Sequence, residues 1–311
     1  MLRFALLRIL GAIPTLLLVI VLAFLMVHAA PGGPFDDERV LPPESARNLE
    51  AAYHLDESLP RQFGRYFAGL MRGDLGPSYH YRDYSVAQLI GATLPLSLKL
   101  GLMAMSAALV VGISAGVVAA LRKNTLVDRL VTGLAMTGIS IPVFVVAPLL
   151  VLWLSVGLNW LPASWSGGES GWRYLLPVTA LALPQIAFVT RLVRGSMIEA
   201  LGSDFVRTAR AQGLSTVSVV RYHALKPALL PLVSWLGPAI AAVLTGAVVV
   251  ETIFGIPGLG QLFVKSGLNR DYTLVLGIVI FYAALIIALN ALVDVLYGIL
   301  DPRIRDGAHQ Q

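Results

Sequence analysis

Six long apolar runs dominate the sequence, at about 9–30, 97–121, 132–156, 174–194, 228–250 and 274–299. A helix needs about 20 mostly apolar residues to cross the hydrocarbon core of a bilayer, so each run has the length of a membrane span. In lipid the backbone polar groups must be satisfied within the spanning structure, which leaves helices and closed barrels. The runs are continuous rather than alternating and are too long for barrel strands, so the expected fold is all-α, a polytopic membrane protein with six transmembrane helices. At 57% hydrophobic and 13% charged residues, the chain carries more apolar surface than a soluble domain of its length can bury. It has no cysteine, which excludes disulfides, thiolate metal sites and a cysteine nucleophile. The net charge of +5 comes from basic residues scattered singly between the apolar runs. Nucleic acid, which needs a basic stripe, is therefore not an expected partner, and membrane lipid is.

The first run could be read as a cleaved signal peptide, since Arg3 and Arg8 precede it and Val27-His28-Ala29 loosely matches a small-residue cleavage site. It is, however, longer than a signal core of about 7–15 residues, and a first span is the expectation. Lys and Arg in the loops set the orientation. With the N-terminus inside, the cytoplasmic segments hold Arg3, Arg8, Arg122, Lys123, Arg129, Arg191, Arg194, Arg207, Arg210, Arg221, Lys226, Arg303 and Arg305. The opposite face carries one long acidic segment, about 31–95. Both termini are thus expected in the cytoplasm. Within that external segment Ser58 can cap a helix with Pro60 in its first turn; Phe63, Phe67 and Leu70 recur at helical spacing, and Gly73 sits where the helix should stop. A second, weaker helix is expected from Glu44 to His54.

Catalytic motifs are scarce. A phosphate-binding loop needs a Gly-Lys pair followed by Ser or Thr, and the four lysines, Lys99, Lys123, Lys226 and Lys265, all follow other residues. No ATP site is expected in this chain. Gly112-Ile113-Ser114-Ala115-Gly116 fits the nucleophile-elbow pattern, but it lies inside an apolar run. Small residues at Gly112 and Gly116 suit close helix packing in lipid instead. The histidines show no pair at metal-ligand spacing on one helix, so neither catalytic residues nor a metal site are expected.

The long polar stretch between the fourth and fifth runs is the most patterned. Ser203 or Asp204 can cap a short helix, Gly213 can end it in a left-handed conformation, and Ser215 can cap the next. The result is a helix-turn-helix elbow. Phe205 and Leu214 would insert into a partner's groove, and small Thr208, Ala209 and Ala211 would let its backbone approach. An ordinary basic cytoplasmic loop is the alternative.

The elbow resembles the coupling loop of ABC importer permeases, whose pattern is Glu-Ala-Ala, three residues, Gly, and a later Leu-Pro. Aligned on Gly213, Arg207 takes the Glu position, Thr208 and Ala209 the two alanines, and Lys226-Pro227 falls near the Leu-Pro. The departure fits the peptide-permease variant, Phe-Val/Ile-Arg-Thr-Ala-Arg-Ala-x-Gly-Leu. Further matching segments follow in order, among them Gly73-Asp74-Leu75-Gly76, Arg194-Gly195-Ser196-Met197, Glu251-Thr252-Ile253-Phe254-Gly255-Ile256-Pro257-Gly258-Leu259-Gly260 and Leu268-Asn269-Arg270-Asp271-Tyr272. The resemblance, to the peptide/nickel permease family, covers nearly the whole chain.

That resemblance implies a bacterial inner-membrane permease subunit for oligopeptides, with the ABC permease fold and no cofactor of its own. Residues 1–95 would be the first helix and external segment, and 96–311 the permease core with a coupling loop at 195–227. It also implies a second similar permease subunit, two ATPase subunits that hold ATP and Mg, and a periplasmic peptide-binding protein. Asp204, Phe205, Arg207, Thr208, Ala209, Arg210, Ala211, Gly213 and Leu214 would form the joint to the ATPase. Lys99 and Glu251 flank span ends, where each either faces a peptide terminus or sits at the interface, snorkelling or capping. Pro257, Gly258 and Gly260 belong to a Gly- and Pro-rich stretch, 251–272, expected as a re-entrant external loop. Asp294 is expected to make a structural ion pair. Dipeptide, murein-peptide and nickel permeases are near alternatives. An ion-coupled secondary peptide transporter is the alternative of another class, and would carry buried acidic residues in pseudo-repeated halves.

Overall fold

The computed structural model describes residues 2–30, 33, 53–81, 83–166 and 171–300. In chain order the helices are α1 (Leu2–Ala29), α2 (Leu59–Met71), α3 (Val86–Leu121), α4 (Leu126–Ser140), α5 (Val143–Leu150), α6 (Trp172–Gly202), α7 (Asp204–Ala211), α8 (Leu225–Phe254), α9 (Leu259–Leu268) and α10 (Tyr272–Leu300). A π-helical turn, Val151–Gly157, extends α5, and a short turn at Thr216–Ser218 with a π-helical stretch, Val219–Ala224, leads into α8. Among the described residues no strand forms, only an isolated bridge between Pro77 and Ser85. Residues 44–52 of the expected Glu44–His54 helix and the side chain of Asp294 lie outside what is described, while Tyr53 and His54 stand in a turn.

Five stretches are long and apolar enough to cross a membrane: Gly11–Ala29, Val86–Leu121, Trp172–Gly202, Thr216–Phe254 and Tyr272–Val293. The third apolar run differs from the expected single helix. It is split into Leu126–Ser140 and Val143–Gly157, bent by 106° at the break, and counts as a sixth span if the pair is taken as one. Pro142 is the cause. It has no N–H to donate, and its ring drives the preceding residue out of the helical region, so Ile141 is extended at φ −96°, ψ 120°.

The second span starts well before its apolar run. Ser85 N–H donates to Gln88 Oε1 at 2.9 Å while Gln88 N–H donates to Ser85 Oγ at 3.2 Å. This reciprocal capping box fixes the start of α3 at Val86. Hydropathy alone placed the start later because Thr93, Pro95, Ser97 and Lys99 dilute the first turns.

Contacts divide the chain into two units, one of Met1–Arg8, Ser97–Ile256 and Ile286–Gln311, the other of Ile9–Leu96 and Pro257–Leu285. In the first, α6 packs along both α4 and α8. Close approach is made possible by glycines on the neighbours of α6. A Cβ at Gly112 would lie 2.7 Å from Val189 Cβ, and one at Gly116 would lie 2.8 Å from Thr190 O and Val193 Cβ. The G-x-S-x-G match is therefore a packing seam. In the second unit, buried Val86, Ile90, Leu259, Leu262, Leu274 and Ile278 form the core. Helix α2 lacks a side-chain cap; the Ser58 carbonyl accepts from Arg61 N at 2.8 Å and Gln62 N at 3.1 Å.

Candidate functional site

The elbow is built from the inside out. Val206 and Ala209, 0% and 3% exposed, join Val193, Met197, Val219 and Ala224 in one apolar cluster. Their i, i+3 spacing pins one side of α7 to the rest of the unit. The other side faces outward: Asp204, Phe205, Arg207, Thr208, Arg210 and Ala211 are exposed. Phe205 and Leu214 keep 49% and 39% of their surface accessible, a large apolar area for two residues on a polar turn. Ala209, expected to leave room for a partner, instead faces the chain's own core.

Ser203 occupies the N-cap position of α7 in extended conformation, but its hydroxyl donates backwards to Ala200 O at 2.5 Å. It thus closes α6 rather than capping α7 with its side chain, and Asp204 contributes only its charge in the first turn. Gly213 has φ +82°, and its N–H donates to Arg210 O at 2.9 Å while Leu214 N–H reaches Ala209 O at 3.3 Å. The helix ends there in a left-handed turn. Ser215 Oγ accepts from Ser218 N at 3.3 Å and caps the next segment. The Arg207–Asp204 ion pair, at 3.3 Å with both side chains largely exposed, adds little to stability.

The residues expected to meet substrate are differently placed. Glu251 is 0% exposed and accepts from Ser97 Oγ at 2.6 Å, so its carboxylate is not presented to an open path. Burial of a charge demands such partners. Lys99 is exposed, with Nζ 4.7 Å from the centroid of the Tyr174 ring. The stretch 251–272 is not an open loop. Gly255 ends α8 in a left-handed conformation, and α9 fills Leu259–Leu268. Pro257 is exposed, whereas Gly258 and Gly260 are buried.

Two polar centres escaped the sequence reading. Arg194 donates to Asp128 through Nε at 2.5 Å and Nη2 at 2.8 Å, a fork that joins α6 to the first turn of α4. By charge alone Arg194 reads as one more cytoplasmic cation, although an arginine and an aspartate inside apolar helices are themselves a signal for pairing. In the other unit Asp271, 0% exposed, accepts from Tyr79 N at 3.1 Å, His80 N at 3.2 Å, Leu274 N at 3.1 Å and the Ser78 hydroxyl. It binds the 78–80 turn to the start of α10. Burial, then the charge of Asp271 and the neighbouring Tyr53, push the Tyr79 phenol up to about 12. Burial also raises Tyr66 above the ordinary phenol range.

Residues 112–306 match the family described as the binding-protein-dependent transport system inner membrane component, and residues 1–100 match its N-terminal companion. The oligopeptide transport system permease protein OppB of Escherichia coli K12 is 53% identical over 306 residues, covering 98% of this chain and 100% of that one. Its Haemophilus influenzae counterpart is 47% identical with the same coverage. The dipeptide transport system permease protein DppB of Bacillus subtilis is 40% identical over 98% of both chains. An amino acid ABC transporter of known structure superposes with a TM-score of 0.52 at 19% identity, over 68% of this chain and 94% of that one, and so shares the fold. With a family match over most of its length and relatives that align end to end, the chain belongs to the family of inner-membrane components of binding-protein-dependent transport systems.

Proposed function

We propose that this chain is the transmembrane permease subunit of an ATP-driven importer of oligopeptides, and that its elbow is the joint to a separate ATPase. What carries the reading is the elbow itself: two large apolar side chains are exposed, Phe205 on a short helix whose other face is locked into the core and Leu214 in the turn that follows it. A groove on an ATPase subunit is the natural receptor for such a pair, since exposed apolar anchors on a rigid support are what interfaces select. The oligopeptide substrate is supported by the 53% identity to the Escherichia coli permease. A dipeptide substrate is the second reading, favoured by the 40% identical Bacillus subtilis relative.

In this reading the protein lies in a bacterial inner membrane with both termini in the cytoplasm. Residues 1–95 are the first helix with its external segment, and 96–311 the permease core. A second permease subunit completes the pathway, two ATPase subunits bind ATP and Mg, and a periplasmic protein delivers peptide. Lys99 and the exposed Pro257 remain candidates for the substrate path, whereas Glu251 is buried against Ser97. The test is reconstitution of the complex from co-expressed genomic neighbours, with ATP hydrolysis and peptide uptake followed on adding binding protein and a tripeptide, tetrapeptide or dipeptide. Peptide-stimulated hydrolysis is expected. Uptake by this chain alone down an ion gradient would replace the importer with a secondary transporter.

A further inference from the structure

We propose that the Asp128–Arg194 pair, a buried carboxylate held by a half-buried guanidinium, is a positioning joint that transmits movement of the elbow through α6 into α4, and thereby sets the broken span during transport. The inference rests on the proposed importer function. Its first support is geometric. Arg194 meets both oxygens of Asp128, through Nε and Nη2, and a two-bond fork fixes orientation as well as distance. Asp128 is only 3% exposed. Its carboxylate also accepts from Asn124 N at 2.8 Å and Thr132 Oγ1 at 3.4 Å, so the turn that precedes α4 is held by the same group. Asn124 lies in the left-handed region at φ 66°, a conformation that asparagine tolerates.

The second support is position. Arg194 stands about two turns before α6 ends at Gly202, directly ahead of the elbow. Asp128 sits in the first turn of α4, whose other end is the break at Ile141–Pro142. The fork therefore joins the helix that carries the elbow to the near end of the only bent span among the described residues. Higher up the same pair of helices, Gly138 lies against Ala187, so α4 is held to α6 at two levels and has to follow it.

The third support is energetic. Apolar side chains of similar volume often replace a buried ion pair without loss of stability, whereas removal of one partner leaves an uncompensated charge. Simple adhesion between α4 and α6 did not require a charge pair. The two-bond fork adds what apolar packing lacks, a fixed register between the two helices.

The experiment uses the full complex in proteoliposomes, with ATP hydrolysed and peptide moved measured on the same sample. The variants are Asp128→Asn and Arg194→Lys. Both single variants should raise the ATP consumed per peptide at least ~10-fold. Arg194→Lys retains the charge and loses the fork, so it tests geometry where Asp128→Asn tests charge. An unchanged ratio in both single variants overturns the joint. So does a failure of both to assemble, because the pair would then serve folding alone. An unsubstituted complex without peptide-dependent hydrolysis overturns the importer reading, and the joint with it.

Discussion

Gly213→Val tests the elbow at the point where its backbone is most constrained. At φ +82°, with nothing within 4 Å of the position a Cβ would take, the penalty for a side chain is purely torsional. An L-residue in the left-handed region costs about 1–2 kcal/mol, and a β-branched one sits at the upper end or beyond. Since 1–2 kcal/mol is a factor of about 5–30 in an equilibrium, valine should reduce the intact elbow by that factor relative to rearranged turns. Asparagine adopts this conformation readily, so Gly213→Asn should retain most activity and Gly213→Ala should fall between. Gly202→Ala provides the control, with open space and no positive φ. Peptide uptake and stimulated ATP hydrolysis in proteoliposomes give the readout. Expected is the order Gly, Asn, Ala, Val, with Gly202→Ala at the unsubstituted level. Normal uptake in Gly213→Val, or asparagine no better than valine, would refute the argument from backbone conformation.

Further consequences can be checked on the purified protein. Gly116→Ala forces a methyl group into backbone and side chain of α6 at 2.8 Å, and should destabilise the helix pair by about 1–3 kcal/mol, seen as a lower unfolding temperature in detergent. Asp271→Asn points an NH2 at donors that now meet a carboxylate; at least one buried donor is left unmatched, at about 1–3 kcal/mol, and faster hydrogen exchange at residues 78–80 should follow. Tyr79 holds its proton up to about 12 against about 10 when unfolded. Its contribution to stability is therefore whole below about pH 10 and is lost as pH rises through about 12, and Tyr79→Phe should flatten that part of the alkaline unfolding profile.

What the sequence made legible was local. The apolar runs carried the spans because hydropathy is a property of each window. The elbow's two ends at Gly213 and Ser215 were readable because capping depends on residues within one turn. Ser203 shows where that logic fails: its hydroxyl had two backbone routes, and the one to Ala200 closes the preceding helix instead. The break at Ile141–Pro142 was written in the proline, yet a hydropathy window registers apolarity without direction. Glu251, Asp271 and the Asp128–Arg194 fork were hidden for another reason. Their partners lie 154, 191–193 and 66 residues away, and no local pattern encodes such pairings.

These long-range contacts also decide where movement can occur if the elbow is driven by an ATPase. Helix α6 is seated against α3 at Gly112 and Gly116 and against α4 at Gly138, and it stacks Phe188 on Trp235 of α8 with ring centroids 4.4 Å apart. Interiors packed this closely transmit strain rather than absorb it. A push on α7 therefore reaches these helices as a displacement of the set, and compliance is confined to points where helical hydrogen bonding is interrupted. Ser203, extended between α6 and α7, is one; Ile141, extended ahead of Pro142, is another. Replacing either by a residue that restores helix would stiffen the path between elbow and broken span, whereas loss of the fork between them would let α6 move without α4. The two kinds of defect have opposite signatures: the first lowers ATP hydrolysis and uptake together, the second separates them.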